Sequence, residues 1–214
     1  MNEIFDKIFI INLNSRTDRW NDIKNEMKSL NITNYERFSA IKPNFNFIPI
    51  EWYNKFKSPH RNLEKYIISA IGCKKSHYDI IKLSKNRAYK RILILEDDCQ
   101  FIGNINILIN NIDKLKNWDM LYLSGNHRLP LINYDENIKK VSCTLTTHSY
   151  ALHEKAFDSI LNNMLESGLE IDNYYITFIQ SQHNSFCLSP GITTQRESYS
   201  DVLNRNTNYQ NVIY

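Results

Sequence analysis

The apolar residues of this chain fall into two kinds of pattern. In two places they run without interruption: Ile8-Phe9-Ile10-Ile11 and Ile92-Leu93-Ile94-Leu95. A run with no polar face predicts a strand covered on both sides of a sheet. Elsewhere they recur at the spacing of one helix face. Ser15 with Asp18 three residues on reads as a capping box. It opens a helix with Trp20, Ile23, Met27 and Leu30 on one side. Tyr35 to Ala40 suits a short strand. Leu63 to Ser84 predicts a long helix with Ile67, Ala70, Ile71, Tyr78 and Ile81 inward, and Phe101 to Leu115 predicts another. Trp118 to Gly125 is a strand ending in a turn, followed by a loosely specified polar connection from Asn126 to Asn137. Ile138 to Thr144 and Thr147 to His153 suit two shorter strands. Glu154 to Leu165 suits a helix with Gly168 as its C′ residue. An amphipathic segment runs from Ile171 to Ile179, and Phe186-Cys187-Leu188 is a last short strand. Strands alternating with helices argue an α/β sheet with parallel strands.

Three features adjust this picture. Lys42 to His60 holds three of the five prolines, so an irregular, aromatic-rich loop is expected there, and Pro190 to Tyr214 is polar and expected to wrap the surface. With 214 residues and no linker, residues 1–214 form one domain. A net charge of +3 implies no polyanion-binding field, which disfavours a nucleic-acid partner. The cysteines Cys73, Cys99, Cys143 and Cys187 lack metal-ribbon spacing and read as reduced core thiols of a cytoplasmic protein. No apolar run reaches membrane-spanning length, and Met1 to Phe9 is too short and polar for a signal peptide, leaving at most a peripheral place at a membrane.

The chemistry concentrates where the second apolar run ends, in Glu96-Asp97-Asp98. Clustered carboxylates repel, and a hard divalent ion such as Mg²⁺ or Mn²⁺ removes that cost. Ligands of α/β sheets bind at the carboxyl ends of strands. The acids therefore read either as a metal site in which Glu96 and Asp98 are ligands, or as solvated acids with Asp98 capping a turn. Asn12, Arg16 and Arg19 follow the first strand, where an arginine fork suits a phosphate or base edge, although each arginine also suits a solvated helix face. Gly72-Cys73-Lys74-Lys75-Ser76-His77 lies inside the long helix. Gly72 there hints at close backbone approach, and His77 is as readily a core histidine as a ligand or base. Asp172 opens the amphipathic segment and suits an N-cap. A metal-dependent nucleotidyl- or phosphotransferase would also use strand-end acids, but the chain has no glycine-rich phosphate loop.

Taken together and in order, several of these segments resemble glycosyltransferase family 25, the group with lipooligosaccharide and collagen galactosyltransferases. They are Ile10-Ile11-Asn12-Leu13 with Arg16 and Arg19, the Gly72–His77 segment, Ile94-Leu95-Glu96-Asp97-Asp98, Tyr122-Leu123-Ser124-Gly125, Thr147-His148-Ser149-Tyr150-Ala151, Ile171-Asp172, and Pro190 through Gln195 to Ser200-Asp201-Val202. The resemblance implies a GT-A-like single domain with a mixed central sheet flanked by helices. Its Rossmann-type nucleotide-sugar half would cover about 1–125, and the acceptor half with the C-terminal tail about 126–214. It implies an inverting hexosyltransferase moving galactose or glucose from a UDP-sugar to a hydroxyl on a glycan or glycosylated protein. A catalytically inactive sugar-nucleotide-binding scaffold is the alternative. By the same resemblance Glu96 and Asp98 hold Mn²⁺ (or Mg²⁺), and Asn12, Arg16, Arg19, Ser76, His77 and Asp97 line the donor pocket. Asp172 is the base, and Gln195 and Asp201 close the site from the C-terminal side. Many GT-A enzymes use a late histidine as a further metal ligand; no histidine follows His183 here, and Gln195 is the candidate for that place.

Overall fold

The computed structural model describes residues 1–43, 63–200 and 205–207. Most of the proline-rich loop, and Asp201, lie outside the described residues. In chain order the elements are β1 (Lys7–Asn12), α1 (Thr17–Ser29), β2 (Tyr35–Ser39), α2 (Leu63–Asn86), β3 (Arg91–Glu96), β4 (Cys99–Phe101) and α3 (Asn106–Asn111). Then come β5 (Met120–Tyr122), β6 (Asn126–His127), β7 (Ile132–Asp135), β8 (Ile138–Lys140), β9 (Thr144–Leu145) and β10 (Ser149–His153). The described chain ends with α4 (Phe157–Asn163), α5 (Ile171–Tyr174), a π-helix (Tyr175–Gln180), β11 (Ser185–Leu188), β12 (Thr193–Gln195), β13 (Ser198–Ser200) and β14 (Arg205–Thr207).

Among the described residues, eight strands form one mixed sheet in the order β2-β1-β3-β10-β5-β11-β8-β7. Its first part, β2-β1-β3, is parallel. β10 then enters antiparallel between β3 and β5, so the sheet is mixed and not parallel throughout. A Rossmann-type half and an antiparallel-containing half thus share one continuous sheet.

The uninterrupted apolar runs become β1 and β3, the two strands that need cover on both faces. Ile8, Ile10, Leu93 and Leu95 point to one face with Ile23 and Met27 of α1. Phe9, Ile11, Ile92 and Ile94 point to the other, under Ile80 and Ile81 of α2 and Phe157 and Ile160 of α4. Residues 92–95 are completely buried, each side chain contributing about 1.5–3 kcal/mol. These strands anchor the fold, and their carboxyl ends carry Asn12 and Glu96.

Four expectations come out differently. The capping box does not form: the N-cap of α1 is Arg16, with no side-chain cap bond, because Asp18 instead takes the Arg16 guanidinium. The helix expected over Phe101–Leu115 shrinks to α3 and a following 3-10 turn, Ile112–Lys114. Its first part is drawn into β4, which pairs antiparallel with β12 from far along the chain. Asp172 is not an N-cap; Glu170 holds that position and Asp172 sits in the first turn of α5. The polar connection Asn126–Asn137 also contains two strands, β6 and the exposed sheet edge β7.

Candidate active site

At the carboxyl ends of β1 and β3 three consecutive acids have three different surroundings. Asp97 is satisfied within the protein. Arg19 Nη1 donates to its Oδ1 at 2.8 Å and Asn12 Nδ2 to its Oδ2 at 2.6 Å. Burial pushes the Asp97 carboxyl up, opposed by Arg19 and Asn12. Asn12 also donates to the Arg16 carbonyl at 3.0 Å and accepts from Arg37. Arg19, which faces the acids from α1, reaches Asp98 Oδ2 at 3.6 Å.

Asp98 is different. Its Oδ1 is buried with no hydrogen-bond partner among the described residues, and Gln195 Nε2 reaches its Oδ2 only at 3.5 Å. Burial, then the nearby Glu96 charge, push its carboxyl up to about 7. The β4–β12 pairing brings Gln195 here, and Arg196 N donates to the Asp98 carbonyl at 2.7 Å.

Glu96 closes β3 with its side chain 24% exposed, so it is the acid most open to the cleft. Thr147 Oγ1 donates to its Oε1 at 2.8 Å, and His77 Nε2 lies 3.4 Å from the same oxygen. Burial alone would raise this carboxyl, but the His77 ring and the Thr147 hydroxyl outweigh it and hold it below the usual range.

Asp172 arrives from the other half of the sheet. Its Oδ1 is also buried without a hydrogen-bond partner among the described residues. Burial, then the Glu96 charge, push it up to about 7, while the Thr146 backbone and the Thr147 hydroxyl oppose this. Thr146 has φ 75°, a left-handed conformation costly for a β-branched residue. That turn directs both Thr146 and Thr147 at the acids. Gln180 holds its base, accepting from Thr144 N at 2.8 Å and donating to Thr144 O at 2.7 Å.

The Gly72–His77 segment has a dual role. A Cβ on Gly72 would meet the Ile41 carbonyl oxygen at 2.3 Å, so only glycine lets the chain after β2 cross α2 here. Ser76 Oγ donates to Gly72 O at 2.7 Å and accepts from Ile41 N at 2.9 Å, and the residue is fully buried. Both bonds of Ser76 are spent inside the fold, so it serves the scaffold. Lys74, also buried, ties α2 to the Leu169 carbonyl at 2.8 Å, just ahead of Asp172. His77 does face the acids. Arg16, half-buried, pairs with Asp18 at 2.9 Å.

Glu96, Asp98, Asp172 and His77 are therefore brought together, with Asn12, Arg19 and Asp97 forming the support beneath, and Gln195 on the rim. Thr147 and Cys73 were missed by reasoning from sequence. All four cysteines are free, and Cys73, half-buried against the core on one side, also has Glu96, Asp172 and Asp98 as electrostatic neighbours. Its four-residue spacing from His77 places both on one face of α2, a signal readable in the sequence.

The sequence profile of glycosyltransferase family 25 (LPS biosynthesis protein) matches residues 5–183. Procollagen galactosyltransferase 1-B of Xenopus laevis is 27% identical over 158 residues, which cover 68% of this chain and 25% of that protein. Procollagen galactosyltransferase 2 of Homo sapiens is 25% identical over 148 residues, 64% of this chain and 23% of that one. The chain thus spans about a quarter of the length of these relatives. A solved glycosyltransferase involved in glycosylation of the major capsid of PBCV-1 superposes over 85% of this chain and 80% of its own. Its TM-score is 0.46 at 11% identity, and it adds no weight beside the profile match. That match spans both sheet halves and every acid of the cleft, and the chain belongs to glycosyltransferase family 25.

Proposed function

We propose that the protein transfers a hexose from a UDP-sugar to a hydroxyl acceptor on a glycan or glycosylated protein, with inversion at the anomeric carbon. The observation that carries this reading is the pair of buried, unpartnered carboxylate oxygens, Asp98 Oδ1 and Asp172 Oδ1, on acids that both feel Glu96. The procollagen galactosyltransferases among the relatives favour galactose as the sugar.

The donor set fits Mn²⁺ or Mg²⁺: oxygen ligands, an orphaned Asp98 oxygen and a carboxyl whose raised pKa a cation would reverse. Held by Glu96 and Asp98, such an ion supplies Lewis-acid stabilisation of the leaving diphosphate. The residues of the chain divide the remaining work. Arg19 and Asn12 fix Asp97 and so hold the turn that aims Asp98. Thr147 orients Glu96. Asp172 takes the acceptor hydroxyl proton as that oxygen bonds to the anomeric carbon and the sugar–phosphate bond breaks, its electron pair leaving with UDP. Burial raises the Asp172 carboxyl above the usual carboxylate range, which makes it a stronger proton acceptor.

The test is incubation with UDP-galactose and UDP-glucose, with and without Mn²⁺, following UDP release and sugar transfer to glycan acceptors. Metal-dependent UDP release lost in Asp172→Asn supports the reading. Binding without turnover favours a sugar-nucleotide-binding scaffold, and absence of both rejects a UDP-sugar donor.

A further inference from the structure

The thiol Sγ of Cys73, a ring nitrogen of His77 and a carboxylate oxygen of Glu96 all lie within 4.8 Å of one another. His77 is fully buried, and its Nε2 has no hydrogen-bond partner among the described residues while lying 3.4 Å from Glu96 Oε1. The other ring nitrogen is committed: His77 Nδ1 is 2.7 Å from the Tyr150 hydroxyl, which is itself 2.9 Å from that of Tyr175. The imidazole also stacks on Tyr150 at a centroid distance of 5.6 Å. Tyr150 anchors Nδ1, so Nε2 is the nitrogen turned to Glu96 and Cys73; a cation there would take the Nε2 lone pair, with Nδ1–H donating to Tyr150. A histidine whose far nitrogen is anchored by an oxygen partner is the usual arrangement of a metal ligand.

We propose that Cys73, His77 and Glu96 form a second cation site, for a soft or borderline divalent ion of the Zn²⁺ class, and that filling it takes Glu96 away from the hard-ion site it shares with Asp98. Thiolate and imidazole select zinc-like ions over Mn²⁺ or Mg²⁺. Three protein ligands with one open position is the pattern of zinc sites accessible to solvent or substrate. Binding releases the thiol proton to solvent, and the ion replaces it on sulfur. Cys73 and His77 are four residues apart on α2, so the helix presents both donors on one face. Three further acidic or polar groups surround the site, Asp98, Asp172 and the Thr147 hydroxyl, and they add to the attraction for a cation. The ligand set stands independently of the transferase reading; only the competition for Glu96 rests on it.

The test uses Co²⁺ as a spectroscopic stand-in for Zn²⁺ on the full chain. Expected are a thiolate-to-cobalt charge-transfer band in the near ultraviolet and tetrahedral visible bands, both displaced by Zn²⁺. The charge-transfer band should vanish in Cys73→Ser and persist in Asp98→Asn. Tyr150→Phe, which keeps the ring and removes the hydroxyl, should weaken Co²⁺ binding on the order of 10–100-fold. Absence of the thiolate band in the unaltered protein overturns the site, whatever the variants do. Persistence of the band in Cys73→Ser overturns it too. Calorimetry of UDP with Mn²⁺ separates the second claim: added Zn²⁺ should suppress binding in the unaltered protein and lose that effect in Cys73→Ser. If Zn²⁺ leaves Mn²⁺-dependent binding intact, the competition is wrong even where the cobalt band is present. If UDP fails to bind under any condition, the donor reading fails and the cobalt result still decides the site.

Discussion

Asp97 and Asp98 are neighbours in the chain and opposites in their surroundings. Asp97 has both oxygens bonded, to Arg19 and Asn12, and lies under the cleft as part of the scaffold. Asp98 keeps one oxygen buried and unpartnered, as does Asp172 across the cleft. Buried polar groups are almost always paired, because leaving one unmade costs about 1–3 kcal/mol. The difference separates acids that hold the structure from acids poised for something outside it.

The sharpest way to break this contrast is to remove an unpaired acid and look for lost chemistry. Asp172→Asn is expected to lower turnover about 10²–10⁴-fold while donor binding is retained, as for loss of a general base. In the unaltered protein turnover should fall at acid pH as Asp172 takes up a proton, and this step should disappear in the variant. A variant with unchanged turnover would move the base elsewhere.

The paired acid should respond in the opposite currency. Arg19→Met leaves Asp97 with a buried charge facing only Asn12, and denaturant melts should show a loss of about 3–5 kcal/mol. A loss below 1 kcal/mol would mean that the pair is not structural.

Asp98→Asn should instead stabilise the metal-free protein. The folded-state pKa of Asp98, about 7, lies above its ordinary value of 3.8, so folding binds a proton. The stability this group contributes is fully present below 3.8 and is lost as pH rises through 7. In chelator, the variant should therefore nearly match the unaltered protein near pH 4 and exceed it at pH 8 by on the order of 4 kcal/mol. Equal stability at both pH values would contradict the burial argument.

Gly72→Ala tests the scaffold alone. The new Cβ would press on the Ile41 carbonyl, and overpacking of this kind costs about 1–3 kcal/mol. A chemical melt reads the effect directly, and a neutral result would mean that the chain after β2 shifts freely.

The parts of the fold legible in the sequence were those fixed by a single local pattern. β1 and β3 announce themselves because both faces of each are apolar, and α2 because its periodicity persists over many turns. The acids at the end of β3 were legible as a cluster for the same reason. What was not legible depends on partners distant in the chain. β4 exists because β12 pairs with it, against a helical pattern that would otherwise include Phe101. The division of labour among Glu96, Asp97 and Asp98 is set by α1 and by the Thr146-Thr147 turn, and no spacing within the triplet reveals which acid Arg19 will choose. Ser76 resembled a pocket residue by its place beside His77, yet a helix turns adjacent positions about 100° apart, and only His77 faces the acids.

The central claim is that the unpartnered acids form a cation-dependent site for a nucleotide diphosphate. Calorimetry of UDP binding with and without Mn²⁺, on the unaltered protein and on Asp98→Ala, tests it most directly. Binding should require the metal and be lost in the variant. UDP binding of equal strength with and without Mn²⁺, or undiminished in Asp98→Ala, would contradict it.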